Sequence, residues 1–117
     1  MTNLARRPPL GQRQPPLVSN AIRRSAAGQT CTLRLEGCCN GRMDTTVLAH
    51  LRVFGVAGMG QKPPDWCAVY ACSACHDALD RRNGATAGLW GYEDVLRALI
   101  ETHRRMWAAG IIQEATP

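Results

Sequence analysis

Ala71-Cys72-Ser73-Ala74-Cys75-His76-Asp77-Ala78-Leu79-Asp80 joins a Cys-x2-Cys pair directly to a histidine and an aspartate one helical turn apart. Two cysteines at that spacing grip one zinc ion from a tight turn. The step from His76 to Asp80 sets both side chains on one face of a helix, where they can share a second metal. The stretch therefore reads as the junction between a structural metal site and a working one. The rest of the chain must supply the other half of each.

The first half comes from Cys31 and Cys39, separated by seven residues across an expected strand over 30–35 and a turn at Gly37-Cys38-Cys39-Asn40-Gly41. With Cys72 and Cys75 they make a four-cysteine tetrahedron of the zinc-ribbon kind. On spacing alone Cys38 serves as well as Cys39. Cys67 lies in an apolar run and reads as a buried thiol rather than a ligand. A disulfide framework would need an export signal. The N-terminus instead carries Arg6, Arg7 and two Pro-Pro pairs, with no apolar stretch of signal or membrane-span length. A cytoplasmic location is expected, where thiols stay reduced and such spacing means metal. One Phe and two Tyr make a thin aromatic core, which a zinc staple would reinforce.

At 117 residues, the chain reads as one domain with tails: a basic, Pro-rich disordered arm over 1–18, a folded unit over 19–112 and a short tail over 113–117. The net charge of +5 comes from 14 Lys+Arg against 9 Asp+Glu, and every basic residue but Lys62 is arginine. The planar guanidinium fork suits phosphate, so the bias favours a polyanionic partner.

Ser19 or Asn20 caps a short helix ending at Gly28. Residues 45–53 are β-branched and apolar and read as a strand delivering His50 near its end. The glycine-rich stretch 55–64 reads as a loop, 66–71 as a buried strand, and Ser73 or Ala74 to Arg82 as a helix stopped by Asn83-Gly84. From Tyr92 to Ala109, Val95, Leu96, Leu99, Ile100, Met106 and Trp107 recur at helical spacing, so this amphipathic helix is expected to bury its stripe in the core. His103 falls on its polar side and is expected in solvent.

A strand followed by a hairpin and a helix brings His50 opposite His76 and Asp80. That set suits single-metal phosphodiester cleavage: a neutral imidazole deprotonates water, and an ion held by His76 and Asp80 stabilises the phosphate and the departing oxygen.

Cys-x7-Cys-Asn-Gly, then Leu48-Ala49-His50-Leu51-Arg52, Lys62-Pro63-Pro64-Asp65, and Ala71 through Asp80-Arg81-Arg82 resembles a specific family. It is that of the small phage and prophage nucleases of the YbcO type, related to the His-Asn-His (HNH, ββα-metal) endonucleases. The match runs from about Cys31 to Arg82.

The resemblance implies an α+β fold: a small zinc-stabilised ββα-metal core with an added C-terminal amphipathic helix. It implies Cys39, rather than Cys38, as the second zinc ligand and His50 as general base. It gives His76 and Asp80 as ligands of a catalytic divalent ion, Mg, Mn or Zn. Asp65 stands roughly where many relatives carry the central Asn, which orients the base or braces the loop. One departure is Ala49, where the broader class usually carries an acidic residue or second histidine. The ion then has fewer protein ligands, or draws on Asp65, Asp44 or His50 itself. The other is Asp65 in place of Asn, further from the knuckle than usual.

The reading is thus a metal-dependent endonuclease acting on DNA, with Arg52, Lys62, Arg81 and Arg82 contacting phosphate. Its expected partners are DNA and, by analogy, phage recombination, replication or packaging proteins, with no membrane contact. The rival reading is a catalytically inactive, zinc-stabilised DNA-binding or recombination accessory protein, which has no need of His50, His76 and Asp80 together. The C-terminal helix leaves open whether its stripe is covered internally or by a second copy.

Overall fold

The computed structural model describes residues 17–52, 63–80 and 90–115. Among them the chain forms α1 (Asn20–Ser25), a 3-10 turn (Met43–Thr45), β1 (Val47–His50), β2 (Ala68–Ala71), α2 (Ser73–Leu79) and α3 (Tyr92–Ala108). It is a small α+β arrangement of a two-stranded antiparallel sheet and three helices. The expectations at Lys62, at Arg81-Arg82 and at the Asn83-Gly84 stop lie outside the described residues, as do the arm expected over 1–18 up to residue 16 and the loop expected over 55–64 up to residue 62.

Sequence chemistry accounts for the element ends. Ser19 Oγ accepts from the Ile22 N–H at 3.2 Å, capping α1. Gly28, at φ +77°, then turns the chain as a residue with a Cβ would do only under strain. Cys72 Sγ accepts from the Cys75 N–H at 3.4 Å and so caps α2 while belonging to the knuckle. At the start of α3, Asp94 accepts from the Gly91 N–H at 2.9 Å, an acid suited to the positive end of the helix dipole.

The sheet pairs Val47 with Ala71, Leu48 with Tyr70, Ala49 with Val69 and His50 with Ala68. Since side chains alternate across a strand, this register sorts them onto two faces. Ala49, Val69 and Ala71 share one buried cluster with Cys75 and Ala78 of α2. Leu48 and Tyr70 pack on the other side with Ile22 and Ala26 of α1 and Met106 of α3. His50 and Ala68 continue that second face.

The expected strand over 30–35 does not form. Arg34 adopts φ +44°, a left-handed conformation costing a non-glycine residue roughly 1–2 kcal/mol. It turns its N–H to Cys31 Sγ at 3.4 Å, bending the segment into a knuckle instead of extending it. Arg34 then pairs with both carboxylate oxygens of Glu101 on α3, at 2.7 and 2.8 Å.

The segment still closes the outer edge of β2. Thr32 N and Thr32 Oγ1 both donate to the Tyr70 carbonyl, at 2.7 and 2.9 Å, and the Tyr70 N–H donates to Thr102 Oγ1 at 3.3 Å. The two hydroxyls lie 2.9 Å apart, so the Thr102 hydroxyl donates to Thr32 and the ring of bonds closes. Thr102→Val removes that hydroxyl and orphans a buried N–H. The expected cost is roughly 1–3 kcal/mol, read as a lowered urea midpoint with an unchanged m-value.

The C-terminal helix spans nearly the expected residues, but its apolar stripe is wider than one buried face. Ala98, Thr102 and Met106 are buried, whereas Leu96, Ile100 and Trp107 are exposed. His103, expected in solvent, is half-buried and bonds through Nε2 to the Trp66 carbonyl at 2.7 Å. No helix among the described residues is long and apolar enough to cross a membrane.

Candidate functional site

The cysteines converge. The sulfurs of Cys31, Cys39, Cys72 and Cys75 all lie within 4.8 Å of one another. Around a tetrahedral zinc with Zn–S bonds of about 2.3 Å, neighbouring sulfurs stand about 3.8 Å apart, and Cys72 and Cys39 stand at 3.8 Å. The donor set therefore fits a zinc ion, and all six cysteines are free of disulfides.

The hydrogen bond from Cys75, working against burial and aided by the Arg34 N–H, lowers the Cys31 thiol to about 4. The same sharing, together with burial, pushes Cys75 up. The lowering at Cys31 runs in the direction of the thiolate, the form a metal needs.

The structure also separates the two neighbouring cysteines that spacing could not. Cys39 belongs to the cluster, while Cys38 Sγ donates to the Ala74 carbonyl at 3.4 Å. Cys67 donates to the Leu51 carbonyl at 3.6 Å, and burial raises its thiol, so it is unreactive.

A second constellation is built on β1. His50 Nε2 lies 2.9 Å from Asp65 Oδ1. Asp65 is 2 % exposed, and its Oδ2 accepts from the Ser19 N–H at 2.7 Å and from Arg23 Nε at 2.8 Å. Burial opposes ionisation of this carboxyl, but the bonds from His50, Ser19 and Arg23 outweigh it and hold it below the usual range. A carboxylate accepts, so His50 carries its proton on Nε2, and Nδ1 is the nitrogen left to take a proton. Arg23 engages Asp65 through Nε, and its side chain is 44 % exposed.

The third group is on α2. His76 Nε2 and Asp80 Oδ2 lie 3.3 Å apart at i, i+4, and both residues are partly open. Among the described residues, the four cysteines form the one cluster of three or more metal-type donors. The strand side chain facing α2 is Ala49, fully buried against Ala78 and Cys75 and offering no donor. Of the acidic alternatives, Asp65 bonds to His50, Ser19 and Arg23, and Asp44 is exposed and paired with Arg42 at 2.7 Å.

The structure thus brings together His50 with Asp65, and His76 with Asp80, as two pairs on different elements. Against the expectation that His50 stands opposite His76 and Asp80, the strand register turns His50 to the face of Leu48 and Tyr70, whereas α2 packs on the face of Ala49 and Val69. Arg52, two residues beyond His50, is exposed. Ser19 and Arg23 were not singled out as site residues by sequence. They stand 46 and 42 residues from the carboxylate they grip, and no local spacing signals such a contact.

Comparison with known proteins places this geometry in context. A family model described as "Putative nuclease YbcO" matches residues 20–110. Two curated relatives, "Putative nuclease YbcO" of Escherichia coli (strain K12) and "Putative nuclease ybcO" of Enterobacteria phage 82, are each 41 % identical over 92 residues. Those residues cover 79 % of this chain and 96 % of the relative. A solved structure described as a putative bacteriophage protein from Escherichia coli str. K-12 substr. MG1655 is similar with a TM-score of 0.57 and 36 % identity. The likeness covers 77 % of this chain and 100 % of that one.

Proposed function

The chain belongs to the YbcO family, and on that premise we propose that it is a metal-dependent endonuclease of HNH type that hydrolyses DNA phosphodiester bonds. The observation that carries this reading is the buried Asp65 carboxylate fixed on His50 Nε2. A histidine placed merely for packing does not need a buried, ionised partner that is itself held by two further donors. A general base does, because its tautomer and ring orientation must be set before water arrives.

In this reading Nδ1 of His50 takes a proton from water as the water oxygen attacks phosphorus in line. The P–O bond opposite breaks, and the leaving oxygen departs with the electron pair and is protonated by solvent. Asp65 balances the positive charge that develops on the imidazole. The exposed guanidinium of Arg23 and that of Arg52 contact the phosphate and its neighbours, with Lys62, Arg81 and Arg82 as further contacts. His76 and Asp80 are the residues that hold a catalytic divalent ion, which when bound supplies Lewis-acid stabilisation of the phosphate and the departing oxygen. Two protein donors suffice for Mg or Mn, ions that keep several waters and take the substrate phosphate as a ligand. The four cysteines hold a structural zinc.

The test is nicking of supercoiled plasmid by the zinc-loaded protein with Mg or Mn added. Cleavage is expected to require the added ion and to fall at least about tenfold in His76→Ala. Absence of cleavage on duplex, nicked, branched and single-stranded DNA, alongside salt-sensitive binding, would replace this reading with the zinc-stabilised accessory module. Ala49, which leaves the ion with no strand ligand, is the observation that keeps that second reading in play.

A further inference from the structure

α3 carries a second apolar row beside the one it buries. At about 100° per residue, Tyr92, Leu96, Ile100 and Trp107 fall within roughly 80° of the helix circumference, next to the Ala98–Thr102–Met106 row. They are open: Tyr92 is 87 % exposed, Leu96 58 %, Ile100 47 % and Trp107 60 %. His103 lies in the middle of the row and ties it to the backbone of Trp66, itself 48 % exposed. With ordinary side-chain areas, the four residues on α3 present on the order of 500 Å² of apolar surface. That is near the upper end for a patch left bare on a monomer.

The charges beside the row point to what covers it. Asp94 pairs with Arg97, and Glu101 with Arg105 and Arg34. Glu93 and Arg104, by contrast, are exposed and form no ion pair among the described residues. The helical step places both on the same flank of the row, the acid near its start and the base near its end.

We propose that this face is a self-association surface: a second copy lays its α3 antiparallel against this one, about a two-fold axis near Ala98 and Leu99. Residues 93 and 104 are equidistant from that axis. In this arrangement Glu93 of each copy stands level with Arg104 of the other while the two apolar rows cover one another. A parallel two-fold pairing would instead put the charged flanks of the two copies on opposite sides of the seam and leave Glu93 and Arg104 without partners across it. A two-fold, self-complementary contact is the form homodimers most often take. The row is about 22 Å long. With Trp66 and the polar flanks it approaches the roughly 800 Å² per partner of a stable interface. DNA is a poor occupant, because a polyanion gains nothing from a bare apolar row bordered by Glu93.

The test is sedimentation equilibrium of the full-length, zinc-loaded chain as wild type, Leu96→Glu with Ile100→Glu, Glu93→Arg, Arg104→Glu, and the combined charge swap. A dimer is expected for the wild type and a folded monomer for the apolar double variant. Each single charge reversal is expected to raise Kd by about tenfold or more, and the swap to recover most of that loss. A wild type that stays monomeric at its highest soluble concentration would overturn the proposal. So would a dimer indifferent to the apolar double variant, or a swap no tighter than its single reversals.

Discussion

His50→Ala is expected to lower plasmid nicking by about 10²–10⁴-fold, the usual contribution of a positioned general base, with one zinc per chain retained. Activity alone would not separate a base from a structural histidine, because the substitution also strips a donor from a carboxylate that is 2 % exposed. That loss costs roughly 1–3 kcal/mol of stability. His50→Gln makes the separation. Its amide can still donate to Asp65 Oδ1 but cannot take a proton from water. The expected result is a thermal midpoint close to wild type with cleavage as low as in the alanine variant. Were the glutamine variant to cleave at the wild-type rate, His50 would be a brace for Asp65 and the base would have to be sought elsewhere. Asp65→Asn fits the same scheme from the other side. It loses the charge that stabilises the imidazolium, and with its oxygen toward His50 its amide nitrogen faces the Ser19 and Arg23 donors that Oδ2 accepts from, so it should lose stability along with activity.

What the sequence disclosed and what it concealed follows from the range of the interactions involved. The Cys72–Cys75 half of the four-cysteine cluster, the helix after it and the His76–Asp80 step are local, set by turn and helix periodicity, and they were legible. The family resemblance rested on those same motifs, and the comparisons support it. The choice between Cys38 and Cys39 is settled by a one-residue rotation of the turn, which brings Cys39 Sγ into the cluster and aims Cys38 at the Ala74 carbonyl.

The failed strand over 30–35 reads as alternation of Leu33 and Leu35 with polar residues. The knuckle buries Leu33 and Leu35 by a different route, and Thr32 with them, since Arg34 turns left-handed to satisfy Cys31. In α3, hydrophobicity alone could not tell the row that packs on Tyr70 from the row that meets solvent, because both recur at helical spacing. Least legible was the grip of Ser19 and Arg23 on Asp65. It joins α1 to the loop before β2 across more than forty residues and depends on how the helix lies on the sheet.

Cys72→Ser is expected to unfold the protein. Cys72 is fully buried, is one of the four clustered sulfurs, caps α2 by accepting from the Cys75 N–H, and directly follows β2. A serine hydroxyl could still cap the helix, so loss of the cap is not what decides the outcome. The metal is. Structural zinc contributes an apparent stability of about 10–16 kcal/mol in small zinc domains, while a domain of this size has a net stability of roughly 5–15 kcal/mol. Losing the site removes as much as the fold has to give. The apolar core cannot make up the difference, since a single tyrosine, Tyr70, is its largest fully buried side chain. Zinc content should drop well below one per chain, far-UV dichroism should lose its helical signal, and a strong chelator should do the same to the wild type. Cys38→Ser is the matched control: its sulfur lies outside the cluster, with a single weak bond to the Ala74 carbonyl, and should cost no more than about 1 kcal/mol with zinc retained. A Cys72→Ser protein that keeps its zinc and melts with the wild type would remove the metal from the account of this fold. The knuckle formed by Arg34 and Cys31 would then be held by the Arg34–Glu101 pair and the Thr32–Thr102 hydroxyl ring alone.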